Sequence, residues 1–145
     1  MRRVGVVVAL LALMVAGCSP RPVDAIVADA PREGWHEGKN LSLGYNNSDT
    51  IAPYNLGVVA RVESASAKES IALVVGCASP SGVSYQSEVV LTAEEGQRGG
   101  SLKEYRGRWI EQAIFAESGE YTFSLTPVES LQGVWNVGVT IEQAK

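Results

Sequence analysis

Gly119-Glu120-Tyr121-Thr122-Phe123-Ser124-Leu125-Thr126 is the stretch whose reading decides the fold. Tyr121, Phe123 and Leu125 alternate strictly with Thr122, Ser124 and Thr126. A period of two puts the large apolar side chains on one face and the hydroxyls on the other, which is a half-buried β-strand. Outward from it, the same alternation recurs in short runs. Trp135, Val137, Val139 and Ile141 follow a break at 127–132. Leu56, Val58, Ala60 and Val62 form an earlier run, and Leu41, Leu43 and Tyr45 one before that. Ser70 to Cys77 is apolar on both faces and reads as a central strand. Ala78-Ser79-Pro80-Ser81-Gly82 then signals a hairpin into Val83–Thr92, with Tyr85, Val89 and Leu91 on one face. Leu102–Tyr105 reads as a short strand. Residues 108–116 fit a helix face or a strand, and their length and flanking Gly107 and Gly119 favour the strand. The expectation is all-β: an antiparallel β-sandwich of seven or eight short strands.

The N-terminus carries a different signal. Arg2 and Arg3 precede Val4 to Gly17, a run of 14 residues without charge. Spanning a bilayer takes about 20 apolar residues. A basic start, a short apolar run and small residues before a cut site make a secretory signal peptide. Val15-Ala16-Gly17-Cys18 is similar to the lipobox of bacterial lipoproteins, which would make Cys18 the lipidated first residue of the mature protein. Two or more acyl chains give stable membrane anchoring. The expected organisation is a signal peptide over 1–17, a lipid-anchored linker over 18–34 and a β-sandwich over 35–145. The linker has three prolines. As a flexible coil of sixteen residues it would reach roughly 20–24 Å. Within it, Ala25–Ala30 could instead add a short strand.

Charge and chemistry narrow the function. The full chain has 12 basic and 16 acidic residues, and cleavage removes Arg2 and Arg3. This acidic balance suggests no nucleic-acid partner, which would require a basic patch. His36 is the only histidine, so a His-rich metal site is excluded, and no cofactor motif is present. No nucleophile motif accompanies His36, and Glu94-Glu95 reads as a solvated turn, so the expectation is not an enzyme. With Cys18 acylated, Cys77 stands alone as a small buried hydrophobe. Trp35, Tyr54, Trp109 and Trp135 could form a binding platform or core. Trp135 alternates with Val137 and reads as core. Trp35 and Tyr54 are the candidate partner-binding residues, with a cap on the sandwich end as the other reading of Tyr54. Asp49-Thr50-Ile51 resembles the Asp-Ser/Thr-aliphatic motif that Bacteroidota O-glycosylate, with Thr50 as acceptor; a capped turn is the other reading.

In chain order there are Trp35 before the first strand, Pro53-Tyr54-Asn55-Leu56, the Ser-Pro-Ser-Gly hairpin, Ser118-Gly119-Glu120-Tyr121-Thr122-Phe123, and Leu131-Gln132-Gly133-Val134 with Val137–Ile141. After a lipobox, this series resembles the GldH family of gliding motility lipoproteins over residues 35–142. The family carries a longer Tyr-Pro-Tyr-x-Asn-Leu form, and a Met-Arg pair where Pro127-Val128-Glu129 stands here. The resemblance implies a cell-envelope lipoprotein of Bacteroidota, non-catalytic, with an envelope protein partner in the gliding or related machinery. A periplasmic glycan- or peptide-binding lipoprotein is the alternative. Ser19 to Val23 hold neither an acidic cluster nor an Asp directly after Cys18, which by the same resemblance implies the outer membrane with the domain facing the periplasm. Changing Cys18→Ser should move the protein out of the membrane fraction; retention after a high-salt wash would place the anchor elsewhere.

Overall fold

The computed structural model describes residues 23–93 and 100–144. Eight strands follow one another: β1 (Val23–Asp29), β2 (Leu41–Asn47), β3 (Pro53–Glu63), β4 (Ser70–Ala78), β5 (Ser84–Ala93), β6 (Leu102–Ile114), β7 (Gly119–Pro127) and β8 (Val134–Gln143). All pair antiparallel, and the lateral order is β1-β8-β3-β6-β5-β4-β7-β2. The fold is therefore all-β and antiparallel. Among the described residues the helical content is a single 3-10 turn, Ser64–Ser66.

Among the described residues, β5 and β6 pair through Thr92↔Arg106 and Ala93↔Tyr105, at the end of β5. The sheet folds over at that corner into two halves, β1-β8-β3-β6 and β5-β4-β7-β2. This is the strand order of two interlocked Greek keys, a jelly roll. The inner faces meet as the alternation requires. Val137, Val139, Ile141, Leu56, Val58, Ala60 and Tyr105 come from one half, and Leu73, Val75, Leu91, Phe123 and Leu125 from the other, all at most 4% exposed. Full burial of an apolar side chain of this size contributes about 1.5–3 kcal/mol.

Two expectations about the strands are corrected. The linker over 18–34 is shorter than its prolines suggest, and the sandwich does not begin at 35. β1 occupies part of that stretch and pairs with β8 from Val23↔Glu142 to Asp29↔Asn136. Ile26 and Ala28 pack on the core, so the alternative of an added strand is the one realised. The two strands expected over 102–105 and 108–116 are one strand, β6, with register shifts against β3 on either side of Leu56. These bulges let Trp109 and Ile110 both pack on the core. That breaks the period of two and explains why the stretch also fits a helix face.

All strands run the length of the sandwich, so the connections fall at two ends. The N-terminal start of β1, the β2–β3, β4–β5 and β6–β7 loops and the end of β8 lie at one end. The β1–β2, β3–β4 and β7–β8 connections lie at the other. The attachment of β1 depends on Gly138. A Cβ there would lie 2.2 Å from the Ile26 carbonyl oxygen and 3.0 Å from Val27 Cα, both backbone atoms of β1. Gly138→Ala should therefore loosen β1 and cost about 1–3 kcal/mol. Urea denaturation with hydrogen exchange checks this, and retained protection of the Ile26 and Ala28 amides would refute it.

Candidate functional site

The aromatic residues singled out in the sequence land in unexpected places. Trp35 is 1% exposed. Its indole Nε1 donates to the Lys39 carbonyl at 2.8 Å, and its backbone bridges Leu131. It offers no surface to a partner, which corrects its reading as a partner-binding residue. Burial of a large apolar ring with its one donor satisfied is the physical reason. Tyr54 is half-buried beside Phe115, with ring centroids 6.0 Å apart. Its hydroxyl donates to Asp49 Oδ2 at 3.0 Å, so it caps the sandwich end.

Thr50 lies next to that cap. Asp49 Oδ1 accepts the Ile51 and Ala52 amides, each at 3.0 Å, closing a tight turn in which Thr50 is half-buried. These backbone bonds first, then the Tyr54 hydroxyl, hold the Asp49 carboxyl below its usual range. His36 is exposed on the turn after Trp35. Cys77 is half-buried against the core, and loss of solvent pushes its thiol up to about 11, so it is an unreactive packing residue. Cys18, Glu94 and Glu95 lie outside the described residues.

Trp135 is the residue that sequence periodicity misplaces. It is 43% exposed, not core. The cause is a β-bulge: Asn136 pairs Arg61 but Val134 pairs Val62, leaving Trp135 as the extra residue. The strand therefore turns Val134 inward and Trp135 outward. Bulges commonly re-aim a side chain in this way near binding sites. The ring is then held from two sides. Its Nε1 donates to Glu63 Oε1 at 3.0 Å, and the Arg32 guanidinium lies 4.8 Å from the ring centroid. Together with Asp29 and Asn136 these residues line a concavity of about 310 Å³ at the end of the sandwich opposite the Asp49 turn. Its lining combines an aromatic surface, two carboxylates, a guanidinium and an amide. That set can bind and orient a polar ligand with an apolar face. Signals for the site in the sequence were present only singly, because Asp29, Glu63 and Trp135 come from three distant strands.

A larger groove of about 540 Å³ runs over the outer face of β8, β3 and β6. Gly57 forms its floor, where a Cβ would meet Thr140 Oγ1 at 2.7 Å. Its rim carries charges of both signs, including Arg108 and Glu111 at 3.6 Å, and no aromatic ring lines it. The Trp135 concavity is the better site on chemistry.

No family model matches the chain, and neither does any curated protein. Among solved structures it is similar to the Clostridium perfringens CspB protease, with TM-score 0.43 and 8% identity over 81% of this chain and 25% of that one. It is also similar to carbohydrate-binding modules of the β-sandwich superfamily, with TM-score 0.40 and 8% identity over 85% and 54%. A third is infectious bursal disease virus, Gx strain, with TM-score 0.40 and 14% identity over 86% and 32%. The chain spans between a quarter and about half the length of these structures. Likenesses this distant carry no argument about function, and the jelly roll stands on the strand order of this chain.

The two tryptophans should separate by stability. Trp35→Ala should cost about 3–5 kcal/mol. Trp135→Ala removes an exposed cation–π contact and one hydrogen bond, together about 1–2 kcal/mol. Urea titrations of both variants check the contrast, and equal costs would show that Trp135 is a packing residue.

Proposed function

We propose that this chain is a lipid-anchored protein of the bacterial cell envelope whose jelly-roll domain is a non-catalytic binding module. The observation that carries the binding reading is the Trp135 concavity, where a bulge turns an aromatic ring outward among Asp29, Arg32, Glu63 and Asn136. The lipobox ending at Cys18 supports the anchor. Resemblance to the GldH family supports an accessory role in gliding motility or related envelope machinery, at the outer membrane and facing the periplasm. Among the described residues, Asp49 and Glu117 have carboxyls displaced from their ordinary range, and both are lowered: Asp49 by amides of its own turn, Glu117 by bonds from Ser81 and Ser79 of the β4–β5 turn. A general acid needs the opposite shift.

The concavity favours a glycan or peptide as the ligand of this module. Both present an apolar face for an indole, and hydroxyl or amide donors for carboxylates. An envelope protein partner of the machinery, which the resemblance supports, could present such a peptide. Titration of the isotope-labelled protein with neutral oligosaccharides and short peptides tests this by NMR. The Trp135 indole N–H resonance should shift with at least one class, and Trp135→Ala should abolish the effect. Ligands that bind elsewhere and leave that resonance in place would refute the site.

A further inference from the structure

The sandwich end opposite the Trp135 concavity carries an unusual surface. Turn tips are ordinarily polar, yet Ile51 in the β2–β3 turn is 83% exposed and Val83 in the β4–β5 turn 71%. Ile114, the last residue of β6, and Tyr85, near the start of β5, are each 56% exposed at the same end. These tips are built rigidly. Asp49 caps the first turn through two amides and the Tyr54 hydroxyl. The Ser79 amide donates to the Val83 carbonyl at 2.8 Å, and the Val83 amide to Ser79 Oγ at 3.1 Å. The Glu117 carboxylate, from the β6–β7 loop, accepts the Ser81 amide at 3.0 Å and the Ser81 hydroxyl at 2.7 Å. Apolar tips on rigid turns lose little conformational freedom when covered.

β1 begins at this same end. Because β1 is part of the sheet, residues 19–22 alone separate Cys18 from Val23. A fully extended chain spans at most about 3.3–3.6 Å per residue, so Cys18 lies within about 18 Å of Val23. We propose that this end of the sandwich rests on a zwitterionic phospholipid surface, with the side chains of Ile51 and Val83 seated in its interfacial zone. The inference rests on the lipid anchor proposed above. The anchor holds the two tips at high local concentration against the bilayer, so individually weak insertions become populated. Charge selects the lipid. The described ionisable residues near the tips include the acids Asp24, Asp49 and Glu117, which disfavour an anionic surface.

The test uses the full lipidated chain in phosphatidylcholine vesicles. In a Cys77→Ala background, single cysteines replace Ile51, Val83 or, at the opposite end, Glu129, and each carries an environment-sensitive fluorophore. Labels at 51 and 83 should shift to shorter wavelength and be quenched by bilayer-embedded spin labels at least twofold more than the label at 129. Adding anionic lipid should reduce the difference. Protein that floats with the vesicles while all three positions are quenched alike overturns the inference and leaves the anchor standing. Protein that does not float removes the anchor, and the inference with it. Shielding of the tips that grows with protein density and shows no lipid quenching marks a contact between copies and overturns it. A glycan on Thr50 in the native protein's intact mass overturns it too, since a sugar there would stand between Ile51 and the bilayer.

Discussion

The contact on which the molecule depends is the one Phe123 makes across the fold. Its ring is fully buried and lies edge-on to Trp109 of β6 at 6.0 Å and to Phe115 at 6.3 Å, with Tyr45 of β2 tilted beside it at 6.3 Å. Trp109 belongs to one half of the sandwich and Phe123 to the other. Among the described residues, the backbone joins those halves at the β5–β6 corner through two residue pairs. Side-chain packing therefore has to hold the halves face to face, and aromatic rings supply large area at each contact. Trp109 adds a polar tie, its Nε1 donating to Ser87 Oγ on β5 at 3.0 Å. Tyr105 adds another through its hydroxyl bond to the Lys68 carbonyl.

The ends of the sandwich follow from this closure. Buried rings near the Asp49 turn continue the same cluster, with Phe115 and Tyr121 packed edge-to-face at 4.9 Å. Asn47 fastens the β6–β7 loop over them, donating to the Phe115 and Glu117 carbonyls at 3.2 and 2.9 Å. At the other end Trp35 closes the core from beneath the β1–β2 connection, tied to Leu131 by two backbone bonds of 2.8 and 2.9 Å. With both ends sealed, polar concave features lie outside the core. The Trp135 concavity depends on a bulge beside one of those seals, so the candidate site is a by-product of how β8 enters the sheet.

Placing β1 in the sheet changes the meaning of the N-terminal region. A stretch with three prolines reads as a spacer that holds a domain off a membrane. With β1 paired along β8, seven residues of that spacer, Val23–Asp29, become an edge strand of the sandwich. The start of β1 lies at the end of the sandwich that carries the exposed Ile51 and Val83. The candidate binding concavity lies at the opposite end.

Periodicity by itself determined the all-β class, the central place of β4 between two partner strands, and the core role of Tyr121, Phe123 and Leu125. These are local consequences of a period of two, and a strand's inward face is written in its own residues. Tertiary structure alone decided the rest. The jelly-roll order depends on which strands pair, and β1 joins β8 across more than a hundred residues. The bulges in β6 and β8 depend on register against β3, so periodicity placed Trp135 inside when it is outside. Trp35 has no alternating neighbours to place it, and only its docking on Leu131 buries it. The concavity required Asp29, Glu63 and Trp135 to meet from β1, β3 and β8, and pairing between distant strands is not encoded in any one of them.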